Sequence, residues 1–316
     1  MTEFVSRTAV GLGSSRQRRL ITFLLFATIS AVGCQKSDVS PQPVATATGS
    51  SDSLQSRCER AAYLLEGQLG DEFSIVVRSP FLVAGDSGRN NLVEQIDNRI
   101  IPTRRALTAT YSISDPTNPI TIILCDSESS YLSVSRRVFD LDNPSSLGYY
   151  RPTERTMVIN EASGQDAMSH ELTHALFAQD WPNMPLWLNE GLASLHESCE
   201  FTDEKPWLRP KDNWRLPIAK ESIRNDPAGI IRTVIEETDF GNDSDGSKYA
   251  RVRYFAWYLH ERGVLGPLIL GLKKASVQNV RQLATDEQIE RLCAAFDQPL
   301  EEIEREFKQW LARRTG

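Results

Sequence analysis

A chain of 316 residues, 40% hydrophobic and 24% charged, has enough apolar material for one large domain or two small ones. Its formal net charge of −7 and the lack of a sustained Lys/Arg stripe argue against a nucleic-acid binder, since nothing would neutralise a run of phosphates. The same charge argues against steering of acidic macromolecules, and no internal repeat is visible.

The N-terminus reads as an export segment. Arg16, Arg18 and Arg19 precede an apolar run from Leu20 to Val32, followed by Gly33 and Cys34. That run falls short of the ~20 residues a permanent membrane helix needs. The stretch "SAVGC" resembles the lipobox of bacterial lipoproteins, with Ala31 where that motif usually has Leu. The resemblance implies a signal peptide over residues 1–34, a lipid on Cys34 and membrane attachment in the cell envelope. Gln35 is similar to the residue found there in lipoproteins sorted to the outer membrane, on the periplasmic side. A plain secretory signal cut nearby is the other reading, and both make the chain an exported one. Export permits disulfides among Cys58, Cys125, Cys199 and Cys293. Their three pairings stay open, and buried thiols are an equal alternative.

Residues 35–53 are rich in Ser, Pro, Thr and Gln and read as a flexible linker, so the folded domain is expected over 54–316. From Leu54, "LQSRCERAAYLLEGQLG" has helical apolar spacing, and "FSIVVR" with "FLVAG" reads as strands or a hairpin. "NLVEQIDNRIIPTRRALTATY" reads as helix despite Pro102, "ITIILC" as a buried strand and "SYLSVSRRVFDL" as a helix. "LGYYRP" and "TMVIN" are two short strands with a polar turn between them. After residue 163 the pattern is almost entirely helical, with runs at about 216–237, 248–262, 265–274, 286–296 and 299–313. The fold class expected is α+β, a small mixed sheet with helices followed by a mostly helical C-terminal part. Asp243 and Asp245 in "FGNDSDGS", with Asp239 just before it, lack EF-hand spacing and read as a solvated loop.

The chemistry concentrates in "SHELTHALFAQDWPNMPLWLNEGLASL" over 169–195, which holds two of the four histidines. Ser163 with Asp166 reads as a helix start, and "DWPN" stops that helix near Gln179. His170 and His174 then share a face one turn apart, and Glu171 lies about 100° round from His170. A second helix after Pro185, with Asn183 as its cap, would run back antiparallel and set Glu190 opposite the histidine pair. Both His174 and Glu190 would lie about 7.5 Å from the turn. Two imidazoles and a carboxylate are a ligand set that leaves a metal ion one open position.

"HELTH" with "LWLNEGLA" resembles the gluzincin zinc metallopeptidases, particularly the bacterial peptidase MA-like group. More loosely, "GYYRPTERTMVIN" is similar to the edge-strand region of that group and "KYARVRYFAWYLHERG" to its substrate-side helix. The resemblance covers roughly residues 70–312. It implies a zincin-like active-site helix and one Zn²⁺ ion held by His170, His174 and Glu190. It also implies Glu171 as general base and Tyr249 as donor to the developing oxyanion, with Tyr254, Tyr258 and His260 as alternatives for that donor. The substrate implied is a peptide or protein, cut by zinc-activated water.

Three residues depart from that pattern or compete with it. Ser194 stands where some gluzincins have an acidic residue, and its hydroxyl is a weaker acceptor for a histidine N–H. Glu197 shares the face of Glu190 and rivals it as ligand, and His196 falls off that face and reads as a surface or supporting histidine. The Trp- and Pro-rich piece from Trp181 to Trp214 reads as packing, with a substrate wall as the other option. The runner-up function is a non-catalytic zinc-binding or substrate-binding envelope lipoprotein, against which Glu171 speaks, because a structural zinc site needs no base. Hydrolysis of a non-peptide amide stays open.

Overall fold

Ser53 starts the first helix by accepting the Ser56 N–H on its side chain, and α1 (Leu54–Leu69) buries Cys58, Leu65 and Leu69. The structure is a computed structural model that describes residues 52–164, 166–225, 229–241, 243–279 and 282–315. Residues 1–51, on which the expected export segment, the expected lipid attachment at Cys34 and most of the expected linker fall, lie outside the described residues.

A hairpin of β1 (Ser74–Arg78) and β2 (Phe81–Gly85) follows. The helix expected around Pro102 is divided into α2 (Arg89–Gln95), a π-helical turn over Ile96–Ile100, and α3 (Ile101–Tyr111). Pro102 stands in the first turn of α3, where its missing N–H costs least. Next come β3 (Ile120–Cys125), α4 (Glu128–Phe139), β4 (Gly148–Arg151) and β5 (Thr156–Asn160). The sheet has the order β1-β2-β3-β5-β4. Its three inner strands are parallel, and both edge strands are antiparallel to their neighbours. Burial on both faces explains why β2, β3 and β5 read as continuous apolar runs.

Alternate residues feed two cores. Leu82, Ala84, Ile123 and Val158 pack on α1 and α4 with Leu69 and Tyr131. Phe81, Val83, Ile122, Met157 and Ile159 face the larger core, which includes the histidine helix α5 (Asp166–Asp180). Asn118, just before β3, donates its N–H to Gln179 near the end of α5, at 3.4 Å. So α5 runs antiparallel to β5 and parallel to the edge strand β4.

The rest is α6 (Leu186–Glu197), β6 (Cys199–Phe201), β7 (Leu208–Pro210), α7 (Arg215–Asn225), α8 (Ile230–Glu236), α9 (Ser247–Glu261), α10 (Leu265–Asn279), α11 (Thr285–Phe296) and α12 (Leu300–Arg313). The protein is therefore α+β with a helical C-terminal part, as its pattern indicates. Four details differ from the sequence expectation. Ser163 ends a 3-10 turn and donates to the Asn160 carbonyl at 2.7 Å instead of capping α5. Pro185, with no side-chain cap bond, precedes α6 in place of Asn183. The run at 216–237 is two helices, because Gly229 adopts a left-handed conformation that begins α8 afresh. The β6–β7 hairpin escapes notice because strands this short show no alternation.

The acidic loop serves α9: Asp243 accepts the N–H groups of Lys248 and Tyr249, and Asp245 that of Ser247. Cys58, Cys125, Cys199 and Cys293 are free thiols. Helix α9 is packed between α6, α7 and α12 and buries Tyr254, Phe255 and Tyr258. Its Arg253, wholly buried, donates to the carbonyls of Ser194, Leu195 and Lys211, and so satisfies the end of α6 that carries Glu197.

Candidate metal centre

Two antiparallel helices make the site. On α5, His170 and His174 lie one turn apart, with ring centroids 4.8 Å from each other. From α6, Glu190 Oε2 approaches both rings, 3.6 Å from His170 Nε2 and 3.6 Å from His174 Nε2. One ligand atom from each of the three lies within 4.8 Å of the others, which makes a possible metal-binding triad. A tetrahedral zinc site with bonds of about 2.1 Å sets its ligand atoms about 3.4 Å apart. The two observed separations of 3.6 Å are close to that and too long for hydrogen bonds.

The outward-facing nitrogens are already occupied. His170 Nδ1 donates to Glu197 Oε1 at 2.9 Å, and His174 Nδ1 donates to Asn189 Oδ1 at 3.1 Å. These bonds fix the ring orientation and turn each Nε2 toward Glu190. Arg215, the first residue of α7, grips Glu197 with Nε on Oε2 and a terminal nitrogen on Oε1, both at 3.1 Å. Glu190 Oε2, by contrast, is buried and has no hydrogen-bond partner among the described residues. A buried carboxylate oxygen without a partner is costly, and a cation between it and the two Nε2 atoms would remove the cost. The residues present therefore fit a divalent metal ion with nitrogen and oxygen ligands.

Local charge has the same sense. Burial works against a charge on His170, but the carboxylates of Glu190 and Glu197 outweigh it and raise its pKa to about 10. Burial likewise opposes the Glu197 anion, and His170 and Arg215 together bring its pKa down to about 2. Glu171 is pushed up by burial, partly offset by the two histidines.

Glu171 and Tyr249 join His170, His174 and Glu190 in the wall of a cleft of about 1220 Å³. The cleft runs between α5 and the edge strand β4, with Trp214 and Arg215 along its far side. The Tyr249 ring centroid is 6.3 Å from that of His170, and burial pushes its hydroxyl pKa well above the ordinary value. The other donors considered face elsewhere. Tyr254 bonds Asp212 and Tyr258 bonds Glu306, and neither they nor His260 line the cleft.

Three expectations are corrected here. His196 is wholly buried rather than a surface residue. Thr173 Oγ1 donates to the Ser169 carbonyl, so it accepts from His196 Nδ1 at 2.9 Å, and Nε2 accepts from the Tyr111 hydroxyl at 3.1 Å. Ser194 is buried with its hydroxyl unpartnered among the described residues, and takes no histidine N–H. Glu197, considered as a rival ligand, is the acceptor that Ser194 was expected to be. Of the tryptophans, Trp181 and Trp187 are buried with their N–H groups on Ser276 and Gln288. Trp181 and the 58% exposed Trp214 also line the cleft, so the segment both packs and forms wall.

Asn189 and Arg215 were not singled out in the sequence. Asn189 could have been, because it immediately precedes Glu190 and shares its helix; Arg215 follows a hairpin and carries no local signal. Compared with known protein-family models and with curated proteins, the chain matches none.

Proposed function

We propose that the protein is a zinc-dependent peptidase that hydrolyses peptide bonds with Glu171 as general base, working as an exported envelope lipoprotein anchored through Cys34. The observation that carries this reading is the convergence of His170, His174 and Glu190 with a carboxylate, Glu171, that is no part of the ligand triad and opens on the same cleft. A structural metal site has no use for such a base. His170, His174 and Glu190 would hold the ion, which when bound supplies the Lewis acidity that polarises a carbonyl and acidifies water.

The chain's own groups do the rest. The Glu171 carboxylate takes a proton from the attacking water and passes it to the nitrogen of the leaving amine. Burial raises its pKa, which strengthens it as a base and readies it to return the proton as an acid. The Tyr249 hydroxyl would serve as donor to the oxyanion, because its ring lies in the cleft wall beside His170, 6.3 Å between centroids. The edge of β4 faces the cleft and can take an extended peptide as an added strand.

The test is cleavage of a diverse peptide mixture, read by mass spectrometry, by the protein and by Glu171→Gln at matched zinc content. Cuts made by the unmodified protein and reduced about 10²- to 10⁴-fold in the variant support the reading. Identical products, or none from either, would return the protein to a binding role.

A further inference from the structure

The end of the cleft remote from Ser163 is built of donors that have no acceptor. The turn between β4 and β5 is fixed there by two backbone bonds, Arg155 N–H to Pro152 and Thr121 N–H to the Arg155 carbonyl. Arg155 itself holds a left-handed backbone, φ 50°, which commits its side chain to this turn. Its guanidinium makes no hydrogen bond or ion pair among the described residues, and its Nε is buried. The nearest acidic neighbour in sequence, Glu154, is bound to Arg151 at 2.7 Å and is not available to it.

Two more donors open on the same cleft. Tyr150, on the face of β4 that packs toward the α5 core, has a buried hydroxyl with no partner. Gln179 accepts the Asn118 backbone N–H on Oε1, which fixes the amide orientation and leaves its buried Nε2 without an acceptor. Asn118 precedes β3, and Thr121 at the start of β3 holds Arg155, so all three donors belong to one end of the sheet and of α5. Buried donors without acceptors are the exception in folded proteins. A guanidinium, a phenol and an amide N–H gathered in one wall are complementary to a carboxylate. At the metal end the charges are reversed, with Glu171, Glu190 and Glu197 against Arg215, so the cleft is polarised along its length.

We propose that Arg155, Tyr150 and Gln179 form a carboxylate subsite, so that the protein takes anionic peptides whose carboxylate lies about two residues from the bond cut. The spacing follows from α5. Gln179 is five residues beyond His174, about 7.5 Å along the helix, or about two residues of extended chain. The carboxylate is supplied either by an acidic side chain, as strand addition antiparallel to β4 would place it on the N-terminal side of the cut, or by the free C-terminus of a peptide lying the other way.

The inference rests on the peptidase reading, and its test separates the two. Four labelled peptides share one sequence apart from Glu or Gln at one interior position and a free or amidated C-terminus. Their binding to zinc-loaded Glu171→Gln protein is measured by fluorescence anisotropy, and their cleavage by the unmodified protein is followed in parallel. The expected result is binding about ten- to a hundredfold tighter for the peptide bearing the relevant carboxylate, weakened by salt. Sensitivity to Glu→Gln assigns the side chain, and sensitivity to amidation assigns the terminus. Adding Arg155→Gln or Gln179→Glu should abolish the preference while thermal midpoint and zinc content stay unchanged, and Arg155→Lys should keep part of it. Equal binding of the four peptides, absence of binding, or a preference that survives both Arg155→Gln and Gln179→Glu overturns the subsite. Cleavage without preference overturns it and leaves the peptidase standing; preference without cleavage keeps the subsite and removes the peptidase.

Discussion

Glu197 does for His170 what Asn189 does for His174, but with a charge that must itself be held. Its side chain is 5% exposed, and it survives as an anion because Arg215 and His170 share its two oxygens. Truncating it removes the acceptor that aims His170 and leaves the Arg215 guanidinium buried beside an empty space. We expect Glu197→Ala to weaken zinc binding about 10- to 100-fold, measured by competition with a chromophoric chelator. Unchanged affinity would show that the ring is held by packing alone. The convergence of His170, His174 and Glu190 was legible in the sequence because it depends on helix periodicity and one short turn. The partners of the two histidines were only half legible, because Glu197 and Ser194 both stand near the right face. Which of the two meets His170 depends on where α7 brings Arg215.

At the scale of elements, the site depends on how closely α6 can lie against its neighbours. A β-carbon at Gly191 would stand 3.1 Å from the Val252 carbonyl of α9 and 3.5 Å from the Ala256 side chain. Alanine at this position gains up to about 1 kcal/mol in helix propensity but must push a helical backbone that cannot yield locally. Gly191→Ala is therefore expected to destabilise the fold by about 1 kcal/mol in urea titrations; a gain in stability would mean that α9 shifts freely.

The other end of α5 is tied down by Asp180, which accepts from Lys273 of α10 at 2.5 Å and from the Ser114 N–H at 3.0 Å. Burial raises the carboxyl pKa, and these two donors more than offset it, leaving it below the ordinary value. A depressed folded-state pKa means that the contribution is complete above about pH 3.9 and is lost as the pH falls through the folded value. Asp180→Asn should cost about 2 kcal/mol at pH 7 and progressively less in acid, so the two stability curves converge below about pH 3.9. Parallel curves would contradict this. The end of α5 and the start of α6 could be read to within a residue or two, since "DWPN" and Pro185 bound them. Their caps could not be: Ser163 and Asn183 are good capping residues, yet Ser163 closes a 3-10 turn and Pro185 stands directly before α6.

For the whole molecule, the order of elements carries the architecture. Strands mixed with helices come first and make the sheet; the helices that follow pack on its α5 side and leave β4 as an open edge beside the metal triad. The α+β class was readable from that order, and the π-helical turn at Ile96–Ile100 and the hairpin of β6 and β7 were not, since neither has a periodicity of its own. The cleft is an outcome of assembly. Its walls come from positions as distant as Thr117 and Tyr249, and no local pattern announces it.

In the proposed peptidase, metal binding and proton transfer belong to different residues of one site. Zinc stoichiometry by mass spectrometry of the purified protein, Glu190→Ala and Glu171→Gln tests this most directly. We predict about one ion per chain in the protein and in Glu171→Gln, and loss of tight binding in Glu190→Ala. Full zinc retention in Glu190→Ala, or loss of the ion in Glu171→Gln, would contradict the account.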